Sequence, residues 1–296
     1  MYILKFYLTN FDIKTPITTI DYNYFWRMQK KWHFFLIIVI LVSFSFSCSD
    51  YQKVLKSPNP EYKYTKTVEY YNEGEYLKAV PLFEELIPLY KGTDKGQKIY
   101  YYYCYTNYHL GYLVSAAYHF KKYAGTYPLS EFAEDALFMS AYCNYLDSPN
   151  PTLDQGPTYQ ALDELQIFVN AYPESELVDS ANTLVDKLRF KLETKSFYNS
   201  KQYYKIRKFQ SAVVSFNATL ENYPNTIYAE EIKLLVLKSY YFWAINSIES
   251  KKKERFEKGI EAYYDFIDNF AEGSMNNEAQ EIYAKLIRER DKLVNN

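Results

Sequence analysis

The sequence predicts an all-α fold of stacked helical pairs, and three observations carry that prediction. Glycine is scarce, at 8 of 296 residues, while aromatics reach 20%; with many Tyr, Leu, Ala, Glu and Lys, this composition favours helices over a turn-rich β-fold. Triads of aromatic or apolar residues spaced i, i+4, i+7 recur with a shift of 37 residues. An Ala with an aromatic or apolar residue four places on, followed by Tyr-Pro, recurs further along the chain. A fixed period of this size marks stacked supersecondary units, each too small to bury its own apolar face.

The leader comes first. Lys30-Lys31 precede "WHFFLIIVILVSFSFSC", which ends at Cys48. The apolar run is too short for a spanning helix. A short positive region, an apolar run and small residues before a break read as a secretory signal over 1–47. Ser45-Phe46-Ser47-Cys48 resembles a bacterial lipobox, in which the cysteine is lipidated and becomes the first mature residue; Ser45 stands where Leu is usual. Met28 lies a typical signal length ahead of Cys48, so residues 1–27 read as an over-extended start. Removing 1–47 takes away five basic side chains (Lys5, Lys14, Arg27, Lys30, Lys31) and two acidic ones (Asp12, Asp21), so the net charge falls from −2 to −5. No polybasic patch is left to hold a membrane, and the lipid must carry the anchoring. The same charge gives no reason to expect nucleic acid as a partner. Residues 48–60, with Pro58 and Pro60, read as a lipidated tether.

The repeat follows. Tyr64, Val68 and Tyr71 are matched 37 residues later by Tyr101, Tyr105 and Tyr108, and again by Phe138, Tyr142 and Tyr145. A small residue keeps step at Thr67, Cys104 and Ala141. "GEYLKAVPLF" from Gly74 is echoed by "GYLVSAAYHF" from Gly111. Each unit parses as helix A carrying the triad, a glycine where that helix ends, and helix B carrying Ala79/Phe83 or Ala116/Phe120. Helix B stops at Tyr127-Pro128, since proline cannot continue a helix interior. Ala161/Leu165 leads to Tyr172-Pro173, Ala212/Phe216 to Tyr223-Pro224, and a degraded Gly259/Tyr263 to Phe270-Ala271. That makes five pairs: units 1–3 over 61–174 and units 4–5 over 175–296. The later spacings of 45, 51 and 47 residues call for longer helices or inserts. Leu146 to Pro157 reads as a proline-rich loop, and Ser175 to about Arg207 as one long helix.

Gly-x-Tyr-x-x-Ala-x-x-x-Phe with a proline eight residues on resembles the second half of the tetratricopeptide repeat, best at Gly111, Ala116, Phe120 and Pro128. The resemblance spans roughly residues 61–272 and implies a right-handed superhelical solenoid whose helix A triads line the concave face. Tyr100 and Tyr103 are then expected to pack inward. Tyr64, Tyr71, Tyr101, Tyr105, Tyr108, Phe138, Tyr142 and Tyr145 are expected to wall a peptide groove, with packing between repeats as the alternative role for the same rings.

Catalytic chemistry is not legible. His33, His109 and His119 are the three histidines, and no HExxH, CxxC, P-loop or GxSxG occurs. No cofactor and no metal are expected, and the chain does not read as an enzyme. His109 reads as a polar residue beside the stripe. Cys104 and Cys143 fall on neighbouring helices, and their pairing stays open.

The head "CSDYQKVLKSPNPEYKY" and the stretches "YYNEGEYLKAVPLFEELIPLY" and "AYCNYLDSPNPTLDQ" resemble the BamD family of outer-membrane assembly lipoproteins. The resemblance implies a lipid-anchored, periplasm-facing component of the machine that inserts β-barrel proteins. It implies contacts from the N-terminal units to C-terminal segments of barrel substrates. From the C-terminal units it implies contacts to the barrel-forming subunit BamA, alongside other assembly lipoproteins. Two other readings stay open: a scaffold lipoprotein of a secretion or gliding complex, and a membrane-anchored adaptor facing the cytoplasm.

Overall fold

The structure, a computed structural model, describes residues 50–294; the signal segment 1–47 and Cys48 lie outside the described residues. No strand occurs among the described residues. The chain divides into two compact units, one ending at Leu89 and one beginning at Tyr90.

The first unit holds α1 (Pro60–Asn72) and α2 (Tyr76–Leu89). Asn59 caps α1 by accepting from the N–H groups of Glu61 and Tyr62 at 3.0 and 3.3 Å, and Pro60 has the first helical position, where no donor is needed. The two helices pack together, and Thr67 on α1 and Ala79, Leu82, Phe83 and Leu86 on α2 are all fully buried. Residues 50–56, expected as tether, are helical, and they pack on this pair: Val54 is buried and Tyr51 donates to the Lys78 carbonyl at 3.2 Å. Lys63 is buried with its ammonium satisfied by the Leu55 carbonyl at 3.0 Å and by Glu85.

The second unit runs α3 (Asp94–His109), α4 (Leu113–Thr126), α5 (Ala133–Asp147), α6 (Gly156–Ala171), α7 (Val178–Lys205), α8 (Phe209–Asn222), α9 (Ala229–Ile245), α10 (Glu249–Phe270) and α11 (Asn276–Val294). Each helix packs on the next in chain order, and α5 also meets α7, α7 meets α9 and α9 meets α11. This is the stacking of tetratricopeptide-like hairpins. The long helix expected from Ser175 is α7, 28 residues in length. The boundary expected at 174/175 falls between α6 and α7, which pack together inside this unit.

Two turn chemistries repeat. Gly74 and Gly111 end their A helices at φ +77° and +76°, the left-handed region that glycine enters without a Cβ penalty. In both turns the N–H of the glycine and that of the following residue close back on the last helical turn: Gly111 donates to Tyr108 at 2.9 Å and Tyr112 to Asn107 at 3.0 Å. The B helices α4, α6 and α8 end at Tyr127, Tyr172 and Tyr223, whose N–H groups each donate four residues back at 2.9 Å. A hydroxyl three residues past each tyrosine closes the turn that leads into the next A helix: Ser130 accepts from the N–H of Phe132 at 3.3 Å, Ser175 from Leu177 at 3.0 Å and Thr226 from Tyr228 at 3.2 Å.

The core follows the Ala-x-x-x-Phe pattern. Ala116, Phe120, Ala161, Leu165, Ala212 and Phe216 are wholly buried. Buried polar groups are paired: Glu164 on α6 accepts from Ser140 at 2.9 Å and Asn144 at 2.7 Å on α5, and from Lys121 on α4 at 3.0 Å. The proline-rich loop over 148–155 is clamped to α7. Lys191 donates to the Ser148 carbonyl at 2.9 Å, and Lys195 to the Leu153 carbonyl at 2.6 Å.

Phe120→Ala is expected to cost about 3–5 kcal/mol, because the vacated space is sealed on all sides. Val114→Ala on the same helix, at a side chain 68% exposed, is expected to change stability by no more than about 0.5 kcal/mol. Urea unfolding of the two variants checks the pair.

Candidate functional site: an aromatic wall on α3 and α5

The run Ile99 to His109 lies within α3, so residues three and four apart share a face. Tyr100 and Tyr103 are nearly buried and point toward α4, where Tyr100 shares a hydrogen bond of 3.1 Å with Nδ1 of His119. Cys104, next after Tyr103, is fully buried.

Tyr101, Tyr105 and Tyr108 form the opposite stripe, and all three are half-buried. Tyr101 stacks on Phe132 with ring centroids 4.4 Å apart, and Tyr105 meets Phe120 edge-on at 5.0 Å. Tyr108 reaches Tyr142 at 6.4 Å. On α5 the rings of Phe138, Tyr142 and Tyr145 are near-parallel, 6.1 and 5.9 Å apart. One side of these three rests on the core of Ala141, Leu165 and Phe168. The wall is therefore core on one face and open on the other. Tyr64 and Tyr71 belong to α1 of the first unit, where Tyr71 meets Tyr76 and Phe83 edge-on at 5.7 and 6.3 Å.

Asp135, absent from the sequence reading, organises one end of the wall. Its Oδ2 accepts from the phenols of both Tyr101, at 2.6 Å, and Tyr105, at 2.7 Å. It sits in the first turn of α5, where a negative charge suits the helix dipole. Its partners lie 30 and 34 positions earlier in the chain, so no local pattern announces it. Burial, and next the bond to Asp135, push the Tyr101 phenol well above its usual range. By contrast, the hydroxyls of Tyr108, Tyr142 and Tyr145 have no protein partner among the described residues. Burial holds His109, beside Tyr105 and Tyr108, below the usual imidazole range. Cys104 and Cys143 are both free and buried, and burial pushes the Cys143 thiol up to about 12. Among the described residues no cluster of three or more His, Cys, Asp or Glu is placed to hold a metal ion, and no helix is long and apolar enough to cross a membrane.

A family model described as outer membrane lipoprotein, YfiO, matches residues 57–256, from ahead of α1 into α10. The chain belongs to the YfiO family of outer membrane lipoproteins. Membership places it with the outer membrane, and the match takes in α1 through α9 and the start of α10. The chain is also similar to the outer membrane protein assembly factor BamD of Caulobacter vibrioides, at 25% identity over 131 residues. That alignment takes in 44% of this chain and 43% of the relative, so it spans less than half the length of either protein.

Asp135→Ala is expected to leave two half-buried phenols without their acceptor and to cost about 1–3 kcal/mol. In a spectrophotometric titration, Tyr101 is expected to ionise at lower pH in that variant. It should stay above the ordinary value of 10.0, because burial is the larger cause. The stability tied to this phenol is complete below about pH 10 and is lost as pH rises toward its folded value.

Proposed function

We propose that this chain is a non-catalytic, lipid-anchored component of the outer-membrane β-barrel assembly complex. Cys48 carries the lipid, and the body faces the periplasm. The α3–α5 wall receives C-terminal segments of unfolded barrel substrates, and the α7–α11 half docks the barrel-forming subunit BamA. Family membership supports the setting. The half-open wall supports the binding role, since an extended apolar-polar strand needs aromatic faces for its side chains and hydroxyls for its backbone. Tyr101 and Tyr105 have given their hydroxyls to Asp135, so they serve as ring surfaces. Tyr108, Tyr142 and Tyr145 retain theirs for a ligand.

Tyr142→Ala with Tyr145→Ala is expected to weaken binding of a C-terminal β-strand peptide about tenfold, from roughly 0.5–1.5 kcal/mol per aromatic contact. The melting temperature should fall less than in a Tyr101→Ala/Tyr105→Ala variant, which also breaks the Asp135 bonds. Unchanged affinity in the first double variant removes the peptide role. Cys48→Ala is expected to abolish fatty-acid labelling and retention at the outer membrane; labelling that persists removes the anchor assignment.

A further inference from the structure

A cavity of about 820 Å³ opens between the α7–α8 turn and the end of α9, well apart in sequence from the aromatic wall. Its floor is aromatic. Phe209 and Phe242 stack at 5.3 Å, and Tyr204 lies 5.9 Å from Phe209. Trp243 is held at the back by Arg255, whose guanidinium lies 4.3 Å over the indole. The rim is cationic, with Lys205, Arg207 and Lys208 all exposed. Among the described residues none of these three pairs with a carboxylate, whereas Lys201, one turn earlier, is held by Glu231 at 2.5 Å. The first turn of α8 lines the same cavity and carries no side-chain cap, so its N–H groups add to the positive potential.

The backbone singles out one rim residue. Arg207 sits at φ +60°, the only non-glycine residue with positive φ among those described. It occupies the place of Gly74 and Gly111 in the earlier turns and makes the same pair of bonds: its N–H donates to Tyr204 at 3.0 Å and that of Lys208 to Tyr203 at 2.9 Å. Glycine would satisfy this turn without strain. A long cationic side chain here is tolerated at the expense of stability, the pattern expected where the side chain serves an interaction outside the fold.

We propose that this cavity is a docking site for an acidic segment of a protein partner. Its carboxylates meet Lys205, Arg207 and Lys208, and an apolar side chain between them rests on the Phe209–Phe242 pair. A recess with an aromatic floor admits a side chain, whereas a flat anionic bilayer would touch only the rim. The site lies in the α7–α11 half and deepens the docking role proposed for it; it depends neither on acylation of Cys48 nor on the wall of α3 and α5, so it stands or falls separately from them.

The test uses the full chain and a labelled, end-blocked peptide Glu-Asp-Phe-Asp-Glu, with Lys-Lys-Phe-Lys-Lys as its counterpart, read by fluorescence anisotropy. The acidic peptide is expected to bind, more weakly as salt rises, and the basic one not to bind. Arg207→Gly is expected to raise the melting temperature by about 2–4 °C while weakening the acidic peptide about tenfold. Lys205→Glu with Lys208→Glu is expected to abolish binding with the fold intact. The proposal is overturned if neither peptide binds, if both bind alike, or if Arg207→Gly leaves affinity unchanged. It is also overturned if phosphatidylglycerol vesicles, and not the acidic peptide, bind in a manner that depends on these cations.

Discussion

The close approach of helix A to helix B at one small side chain sets the rest of the architecture. Ala79, Ala116, Ala161 and Ala212 have no exposed surface, and neither do the residues four places on, Phe83, Phe120, Leu165 and Phe216. A Cβ alone at the contact lets the helices draw together, and the larger residue fills the gap beside it. With that spacing fixed, each A helix has one face sealed and another only half covered. The tyrosine stripe of α3 falls on the half-covered side. In the fifth pair the slot holds Gly259, where a Cβ would lie 2.8 Å from a terminal methyl of Leu286 on α11, so a side chain of the closing helix reaches into the same slot.

Polar groups then lock what the apolar contacts bring together. Ser175 and Thr226 each donate to a glutamate on a neighbouring A helix, Glu134 and Glu193, both at 2.5 Å. Glu164 gathers donors from two other helices. Asp135 ties two phenols of α3 to the start of α5. Carboxylates so placed would be costly without partners, and with them they fix rotation and register between repeats. A surface built in this way is held in shape before a ligand arrives, which lowers the ordering cost of binding.

Much of this was legible in the sequence because it is periodic. The i, i+4, i+7 triads, the Ala-x-x-x-Phe pairs, the glycine stops and the Tyr-Pro ends each repeat, and the helices lie where these patterns put them. What escaped notice does not repeat, or repeats weakly. Asp135 and His119 act on residues that are distant in the chain and carry no spacing signal. The Ser/Thr three places past each Tyr is periodic, in "YPLSEF", "YPESEL" and "YPNTIY", and could have been found. Helical turns over 50–56 were hidden by the prolines that follow them. Arg207 was invisible for another reason: nothing in a side chain's identity reports a left-handed backbone.

The loop between α5 and α6 has a mechanical consequence. A stretch with Pro149 and Pro151 between two helices would ordinarily be a hinge or an entropic spring. Here Lys191 and Lys195, one turn apart on α7, grip its carbonyls at two points, and Gln155 is buried with its amide bonded to Asn150 and Leu153. The insert thus works as a strut. Torque applied to the third helical pair passes into the long helix through this bracket as well as through the apolar seam, and bending within the stack is displaced to turns that lack such a brace.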